Sequence, residues 1–359
     1  MKLLRFLLFP FAVLYRVITG LRNVAFNRGW LKSTAFEVPV ICVGNLSVGG
    51  TGKSPHIEYL ARLLKGEHRV ATLSRGYGRS TSGFLLVRED SEAQAVGDEP
   101  LQFKAKFPEL TVAVDEQRVR GIHTLLQSEQ PPSVVLLDDA FQHRKAKAGF
   151  NVLLTTFQAP YYRDYLLPTG NLREGRSGAR RAHCIVVTKC PPSLTEAEQK
   201  RIRAAIAPHT GQEVYFSSYA YANPVGINSS SPRMDLEGLK AGNYSVVLLT
   251  GIAQAGPLVE TLKQYSAHFE HLKYPDHHAY TVADLQKLRK IFDNIAGHQK
   301  VVITTEKDAM RLREPSLASS LSDLPVYALP IAVEFHSNGQ QAFNAQILAY
   351  AARTNEGNR

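Results

Sequence analysis

The stretch from Ile41 to Ser54, ICVGNLSVGGTGKS, has the residue types and order of a phosphate-binding loop. An apolar run leads into a glycine-rich turn ending in Gly-Lys-Ser, and a helical pattern follows. Backbone N–H groups in such a turn converge on an anion, and the helix start adds partial positive charge. The lysine can reach the β- and γ-phosphates of a nucleotide, and the next hydroxyl can hold Mg²⁺. We therefore predict nucleotide binding by Gly49, Gly50, Thr51, Gly52, Lys53 and Ser54.

An acidic motif favours this interpretation over an ordinary glycine-rich turn, although Ser47 replaces the first glycine of the usual pattern. The apolar run Ser133–Leu137 ends in Asp138 and Asp139. Ligands bind at the carboxyl edge of parallel sheets, where a nucleotide-binding protein of this type places an acidic Mg²⁺ ligand. Turn-forming aspartates also follow apolar strands. Beside a phosphate-binding loop, we favour metal binding by these two carboxylates.

Two further clusters of side chains could accept or donate a proton in a reaction. Gly97-Asp98-Glu99-Pro100 places two carboxylates at a predicted helix start, where Asp98 could equally be an N-terminal cap. Asp276-His277-His278 puts an imidazole beside a carboxylate, for which an ordinary surface pair is the default interpretation. The residues alone leave both clusters open.

Two basic loops suit a phosphorylated ligand. Ser74–Arg79, SRGYGR, puts two guanidinium groups in a glycine-rich loop after a strand. Leu167–Glu174, LPTGNLRE, precedes Arg176, Arg180 and Arg181. We expect the last two of these arginines to be solvated surface charges.

The motifs must be positioned by strands and helices. The sequence predicts two successive series, each a stretch of chain in which strands alternate with helices. In the first series we predict strands Val38–Val43, Arg69–Ser74, Thr111–Val114, Ser133–Leu137, Asn151–Thr155 and Cys184–Thr188, with helices Pro55–Leu64, Glu99–Lys106, Asp115–Leu126 and Thr195–Ala207. In the second we predict strands Ser245–Thr250, His268–Tyr274, Lys300–Thr305 and Val326–Leu329, with helices Pro257–Tyr265, Val282–Ile295 and Gly339–Ala352. Such alternation predicts parallel sheets covered by helices on both faces.

The two series predict two α/β domains. A P-loop three-layer α/β/α domain with a mostly parallel sheet is predicted over residues 25–222. Residues 223–243 are rich in Ser, Pro, Gly and Asn and predict a linker. A second, smaller α/β domain is predicted over residues 244–359, closing over the active site.

Composition indicates a folded globular protein. The chain has 359 residues, of which 44% are hydrophobic and 21% charged, so that two domains could each bury a core. The three cysteines, Cys42, Cys184 and Cys190, have neither a disulfide framework nor metal-ligand spacing. Cys42 and Cys184 lie in apolar runs, which predicts burial and a reducing compartment.

The first 24 residues predict an amphipathic helix at a membrane surface. The net charge is +10, and six lysines and arginines precede the first acidic residue, Glu37. No nucleic-acid-binding motif accompanies this charge, so an anionic membrane or a phosphorylated ligand explains it better. The uncharged run Phe6–Tyr15 is too short to span a bilayer, which needs about 20 residues.

On a helical projection the polar and apolar side chains of this segment separate, and Pro10 should kink the helix or start a second one. The polar sector contains Lys2, Arg5, Arg16, Thr19 and Asn23, and the opposite sector contains Leu3, Leu7, Leu14, Val17, Ile18 and Leu21. A cleaved signal peptide is disfavoured because Arg16 interrupts the apolar region. A helix that packs on the protein's own core remains the alternative.

Taken together, the motifs resemble the tetraacyldisaccharide 4′-kinases of lipid A biosynthesis. The resembling segments are GNLSVGGTGKSP, SRGYGR, GDEP, DDAFQH, LPTGNLRE, TGIA, YPDHHAY and TEKDA, in family order over about three quarters of the chain. The apolar, basic N-terminus is similar to the family's membrane-docking helix. The departures are small: Ala140 and Gly175 replace a family glycine and proline, and Ser54 replaces the commoner threonine.

The resemblance implies transfer of the ATP γ-phosphoryl group to the 4′-hydroxyl of a tetraacylated glucosamine disaccharide 1-phosphate, giving lipid IV-A. Lys53 and Ser54 would serve the triphosphate and Mg²⁺, and Glu99 would share the metal with Asp138 and Asp139. Asp98 would be the base, paired with His277. The substrate path would be lined by Arg75, Tyr77, Arg79, Arg118, Arg173 and Glu174.

The predicted domain boundary separates Asp98 from His277, so domain closure is expected to assemble the pair. The resemblance also implies a peripheral protein at the cytoplasmic face of the bacterial inner membrane, with no nucleic acid and no obligate protein partner.

Two rival functions remain. One is a nucleotide switch or metallochaperone of the P-loop class that acts on a protein. Pro191 stands where a GTPase has its guanine-reading Asp after Thr188-Lys189, which favours adenine. The other is a non-enzymatic peripheral membrane protein, against which the acids around Asp98 and Asp138 argue.

Overall fold

The computed structural model describes residues 5–352, except for the side chain of Pro315. The described chain divides into two units, and each is discontinuous in sequence. Unit 1 comprises the described residues up to Glu89, then Phe103–Tyr219, then those from Val333 onward. Unit 2 comprises Asp90–Gln102 and Ala220–Ala332.

Unit 1 is built on a sheet that has nine strands within the described residues. In chain order they are β1 (Val40–Asn45), β2 (Val70–Ser74), β3 (Leu85–Leu86), β4 (Thr111–Val114), β5 (Val134–Asp138), β6 (Phe150–Thr156), β7 (Cys184–Thr188), β8 (Glu213–Tyr221) and β14 (Ile331–Phe335). Their order in the sheet is β14-β8-β7-β6-β1-β5-β2-β4-β3.

The centre of this sheet is parallel and buried. β1 lies between β6 and β5, and both pairings are parallel. Every residue of β1 and β5 is buried, as the β-branched and leucine runs of these strands require. The register places Val43 opposite Asp138, so both strands end at the same edge of the sheet. The loops that follow them carry the phosphate-binding motif and the aspartate pair.

The helices of unit 1 include α1 (Phe9–Asn27), α2 (Lys53–Leu64), α5 (Arg118–Leu126), α6 (Glu196–Ile206) and α12 (Gly339–Ala351). α4 (Asp98–Lys106) begins in unit 2 and ends in unit 1. A capping box of Thr195 and Glu198 starts α6. α2 starts instead at Gly52, whose lack of a side chain leaves the first N–H groups of the helix to a ligand.

Unit 2 contains a second sheet with the order β11-β10-β12-β13-β9. Its strands are β9 (Val225–Gly226), β10 (Ser245–Thr250), β11 (His268–Lys273), β12 (Lys300–Thr305) and β13 (Val326–Leu329), and its helices are α3 (Ala93–Val96), α7 (Leu236–Ala241), α8 (Gly256–Leu262), α9 (Val282–Asn294), α10 (Glu306–Leu312) and α11 (Pro315–Leu321). The short β9 pairs antiparallel with β13, and the other pairings are parallel. Apolar clusters pack on both faces of this sheet.

This division differs from the predicted domains in three respects. Residues 333–352 belong to unit 1, because Phe343 of α12 packs against Tyr215 of β8 and Tyr59 of α2. Residues 90–102 belong to unit 2. The predicted linker contains β9 and α7, whose Leu239 is fully buried, so it is part of a folded unit and not a spacer.

Most predicted elements are present, with ends shifted by up to three residues. The sequence patterns missed the long strand β8, the edge strand β14 and the helices α10 and α11. β8 contains Ser217 and Ser218, which break the apolar run although both are buried. When buried positions of a strand are polar, the strand cannot be recognised from its pattern of apolar residues.

Helix α1 exposes its apolar side. Pro10 occupies the first turn of the helix, which confirms that it starts a helix. The side chains that face the protein are Ala12, Tyr15, Thr19, Asn23 and Phe26. The large exposed apolar residues of this segment are Phe6, Leu7, Leu8, Phe9, Phe11, Val13, Leu14, Val17, Ile18, Leu21 and Val24. The apolar sector is therefore not the side that packs on the core; Lys2 and Leu3 lie outside the described residues.

Candidate active site

The phosphate-binding loop joins the end of β1 to α2 in a conformation that depends on its glycines. Gly49 and Gly52 have φ angles of 106° and 89°, which residues with a Cβ atom rarely adopt. The Asn45 side-chain amide donates to the Thr51 hydroxyl over 2.8 Å. Thr188, at the end of β7, donates from its hydroxyl to the Thr51 carbonyl over 2.9 Å. The loop is thus held by residues at the ends of β1 and β7.

A buried histidine also holds this loop. His56 Nδ1 lies 2.7 Å from the Gly52 carbonyl, and Nε2 lies 3.2 Å from the Ser217 hydroxyl of β8. Burial lowers the pKa of His56 to about 4, so the ring is neutral at pH 7. Because a carbonyl only accepts, Nδ1 carries the proton and donates, and Nε2 accepts from Ser217.

At the carboxyl ends of β1 and β5, three charged side chains meet. The Lys53 ammonium lies 3.8 Å from the Asp139 carboxylate. Arg173 donates to both oxygens of Asp139, over 2.7 and 3.3 Å, and also to the Asn45 side chain. Burial by itself would raise the pKa of Asp139, but Lys53 and Arg173 outweigh it and lower the pKa. Asp139 is therefore ionised and holds two cations at the mouth of the loop.

Arg118 adds a third cation to this cluster. Its side chain is buried at the start of α5 and donates to the Asp115 carbonyl over 2.6 Å. Burial lowers the pKa of Arg118, whereas the charges of Asp138 and Asp139 raise it. Asp138 itself is 2% exposed at the last position of β5.

The loop Leu167–Glu174 touches the phosphate-binding loop through its backbone. Val48 donates to the Asn171 carbonyl over 2.8 Å, and Arg173 donates to the Leu46 carbonyl over 2.7 Å. The phosphate-binding loop and the loop Leu167–Glu174 are therefore in direct contact. This contact brings Arg173 to Asp139.

The proton-handling candidates meet inside unit 2. His277 Nδ1 lies 3.4 Å from Asp98 Oδ2, and Arg311 of α10 donates to the same oxygen over 2.6 and 2.9 Å. The expectation that domain closure assembles Asp98 and His277 is wrong, because both residues belong to the same unit. Residues 90–102 pack with 220–332 and carry Asp98 to His277.

The residues that follow Asp98 and His277 in the sequence, Glu99 and His278, make contacts with other side chains. Glu99 forms an ion pair with Lys307 of α10. His278 Nε2 lies 3.0 Å from Asp284, and its ring stacks on Tyr274 with centroids 4.3 Å apart. His278 thus supports the start of α9 and leaves His277 beside Asp98.

The remaining predicted substrate residues fall into two groups. Arg75 and Tyr77 are exposed, with Tyr77 78% exposed. Arg79 instead pairs with Glu116 over 2.6 Å and is almost fully buried. Glu174 is buried and accepts from Arg181, Asn23 and Gln142.

The expectation that both Arg180 and Arg181 are solvated is wrong for Arg181. Its guanidinium donates to both oxygens of Glu174, over 2.7 and 2.8 Å, and lies over the Phe141 ring. The buried Glu174 carboxylate, seven residues upstream, explains this pairing, whereas Arg180 is exposed.

Comparisons with known proteins agree with this geometry. A family model described as tetraacyldisaccharide-1-P 4′-kinase matches residues 4–352. A tetraacyldisaccharide 4′-kinase of Flavobacterium johnsoniae is 49% identical over 98% of both chains. One of Bacteroides thetaiotaomicron is 43% identical over 96% of this chain and 92% of its own. The chain belongs to the tetraacyldisaccharide-1-P 4′-kinase family.

A solved structure supports the fold of this kinase over nearly the whole chain. Aquifex aeolicus LpxK, crystallised in complex with ATP, is 30% identical and covers 97% of this chain and 99% of its own, with a TM-score of 0.77. The predicted family, kinase class and P-loop α/β fold are confirmed.

The sequence analysis assigned no role to several residues of the kinase that contact the predicted ones, although Asn45 and Asp308 lie within its motifs. Lys189 has its ammonium 3.9 Å from the position that a Cβ on Gly50 would take. Asn45 contacts both Thr51 and Arg173. Asp308 and Arg311 follow β12, and a charged pair three residues apart directly after an apolar strand is the signal that could have identified them.

A cavity of about 840 Å³ in unit 1 of the kinase lies beside the C-terminal end of α1. Its lining includes the aromatic rings of Phe26 and Phe141 and the cations Lys32, Arg144 and Lys147. Among residues 5–352, no helix is both long and apolar enough to cross a bilayer.

Proposed function

We propose that this chain transfers the γ-phosphoryl group of ATP to the 4′-hydroxyl of a tetraacylated glucosamine disaccharide 1-phosphate, giving lipid IV-A. The observation that carries the proposal is the meeting of Lys53, Asp139 and Arg173 at the carboxyl ends of β1 and β5. Phosphoryl transfer needs positioning and cations around the departing charge, and this cluster supplies both.

ATP would bind along the loop from Gly49 to Ser54, with its phosphates at the start of α2. Lys53 would exchange Asp139 for the β- and γ-phosphates when the nucleotide enters. Lys189, beside Gly50, adds positive charge at the same loop. Burial lowers the pKa of Lys189, and an arriving phosphate would favour its charged form.

The donor set at this edge fits Mg²⁺. Among the described residues, no cluster of three or more His, Cys, Asp or Glu side chains is arranged to hold a metal. Mg²⁺ commonly binds through one or two carboxylates together with substrate phosphates and water, so such a cluster is not required. Ser54, Asp138 and Asp139 would hold the ion, with Glu99 as a further predicted ligand. The ion would neutralise charge on the transferred group.

Asp98 would accept the proton of the 4′-hydroxyl as the new O–P bond forms and ADP leaves, with His277 beside it. The base and the phosphate-binding loop belong to different units. We therefore also propose that unit 2 closes over the bound nucleotide during turnover. Arg75, Tyr77, Arg118 and Arg173 would contact the substrate. The internal pairs of Arg79 and Glu174 favour a supporting role for these two residues.

Helix α1 would dock on an anionic membrane surface, which in the cell would be the cytoplasmic face of the inner membrane, where ATP is available. The support is its row of exposed apolar side chains together with Arg16, Arg22 and Arg28. Its inward side is tied to unit 1 by the Tyr15 hydroxyl, which donates to the Arg173 carbonyl over 2.9 Å.

The reaction is tested with purified protein, radiolabelled ATP and the tetraacyldisaccharide 1-phosphate in mixed micelles. We expect a new phosphomonoester on the lipid, dependent on Mg²⁺, and no comparable product with GTP. Nucleotide hydrolysis that proceeds without lipid and prefers GTP would contradict the proposal and support a nucleotide switch.

Membrane docking can be followed with the chain's single tryptophan. Trp30 lies three residues beyond α1 and is 69% exposed. We expect its fluorescence to shift to the blue when phosphatidylglycerol vesicles are added, because the indole enters a less polar interface. The double variant Ile18→Asp, Leu21→Asp should bind vesicles about 100-fold more weakly, since two apolar side chains contribute about 3 kcal/mol.

The control for this measurement is Val282→Asp, which changes an exposed apolar residue of unit 2. This variant should bind vesicles like the unmodified protein. Equal binding by the double variant would show that α1 is not the docking surface.

A further inference from the structure

Arg311 is a buried cation at the centre of the polar cluster in unit 2. Its side chain is 8% exposed and projects from α10, which is capped by Thr305. Its Nε and Nη2 atoms donate to Asp98 Oδ2 over 2.9 and 2.6 Å. Its Nη1 atom donates to Asp308 Oδ1 over 3.1 Å and to the Gly251 carbonyl over 3.3 Å. One guanidinium thus joins the Asp98 segment to Asp308 of its own helix and to the loop that follows β10.

Asp308 fixes the far side of this guanidinium. It is fully buried and accepts from the Tyr280 hydroxyl, the Thr305 hydroxyl and the Gly251 amide over 3.0, 2.7 and 3.1 Å. Burial by itself would lower the pKa of Arg311, but hydrogen bonds and charge from Asp98, with the charge of Asp308, raise it. The arginine is therefore charged, and carboxylates accept its hydrogen bonds on both sides.

The contacts of Asp98 are asymmetric. Within the described part of the chain, the hydrogen bonds and ion pairs of its carboxylate all end on Oδ2. The contact from His277 to that oxygen is 3.4 Å, longer than either contact from Arg311. The carboxylate is therefore oriented chiefly by Arg311, and Oδ1 is left as the acceptor for an incoming proton.

We propose that Arg311 is a positioning residue for the phosphoryl transfer: it clamps Oδ2 of Asp98 so that Oδ1 faces the sugar hydroxyl. This inference rests on the proposed function, in which Asp98 is the base. A planar guanidinium can span both Asp98 and Asp308, and a single ammonium cannot. In the transfer step the hydroxyl proton moves to Oδ1 while the hydroxyl oxygen takes the phosphoryl group and ADP departs.

The test compares Arg311→Ala and Arg311→Lys in the micelle assay. We expect Arg311→Ala to lower kcat about 100-fold while KM for ATP changes less than about 3-fold, because a misplaced base impairs chemistry and not nucleotide binding. Arg311→Lys should retain more activity than Arg311→Ala. Guanidinium ion at a non-denaturing concentration should restore part of the kcat of Arg311→Ala, which loss of a purely structural contact would not allow.

The matched control is Arg289→Ala, which removes an exposed ion pair with Asp323 in the same unit and should leave kcat unchanged. In an Asp98→Asn background, Arg311→Ala should add less than about a 3-fold loss, since the two residues act as a unit. If Asp98→Asn is inactive but Arg311→Ala turns over normally, the role of Arg311 is refuted and the base assignment stands. If Asp98→Asn stays active, the base assignment falls and the role of Arg311 falls with it. If Arg311→Ala does not fold, normal kcat in the folded Arg311→Lys variant would refute the clamp.

Discussion

Asp98→Asn is expected to lower kcat about 1000-fold while ATP binding stays within about 2-fold of its original strength. The amide has the shape of the carboxylate and can still accept from Arg311, but it cannot take a proton. General-base catalysis contributes about 100- to 10,000-fold, and a 1000-fold loss corresponds to about 4 kcal/mol of transition-state stabilisation. Single-turnover kinetics with the lipid substrate, and calorimetry for ATP binding, measure the two quantities.

The matched control is Asp90→Asn, which neutralises an exposed carboxylate on the same segment of unit 2. Its kcat should match that of the unmodified enzyme. Turnover by Asp98→Asn within about 3-fold of normal would remove Asp98 from the mechanism and would direct attention to another acceptor, such as solvent.

Lys53→Met should abolish most activity by a different route. We expect kcat to fall about 1000-fold and ATP to bind at least about 10-fold more weakly, because the ammonium contacts the phosphates in both the ground state and the transition state. Lys53→Arg should not restore activity, since the planar guanidinium is larger than the compact ammonium that the loop accommodates. Initial rates at varied ATP concentration separate the two effects.

Lys65→Met is the control for this position. Lys65 follows the last residue of α2 and pairs at the surface with Glu109. Its loss should change neither kcat nor KM. Normal ATP affinity in Lys53→Met would contradict the placement of the triphosphate on this loop.

The local motifs could be predicted from the sequence because neighbouring residues specify them. Glycines where φ is positive, a lysine at the helix start and an apolar strand before them are all read from fourteen consecutive residues, Ile41–Ser54. The same holds for β5, whose apolar run ends in its aspartate pair. In both cases the carboxyl edge of a parallel sheet implies the position of the ligand.

Long-range partners could not be predicted in this way. The pairing of Asp98 with Arg311 depends on residues 90–102 joining a unit that is otherwise formed by 220–332. Neither segment carries a signal for this in its periodicity. The pair of Arg181 with Glu174 was missed for a related reason, because a basic run gives no sign of which of its members finds a buried carboxylate.

The orientation of the N-terminal helix α1 could not be predicted from its amphipathic pattern, although the pattern itself is correct. The sequence separates polar from apolar side chains on α1 but does not say which side faces the protein. In the structure Asn23 donates to buried Glu174 and Arg22 donates to the Gln142 carbonyl, so polar groups make inward contacts beside buried Ala12 and Phe26. The apolar side is exposed for that reason.

The discontinuity of unit 2 has a consequence for synthesis of the protein. As the chain leaves the ribosome, residues 90–102 emerge well before 220–332, with which they pack. Domains tend to fold in the order of translation. Asp98 therefore cannot pair with Arg311 until residues 220–332 have been synthesised. The residues of the nucleotide-binding loop are thus synthesised early, whereas the contact between Asp98 and Arg311 forms only late in elongation.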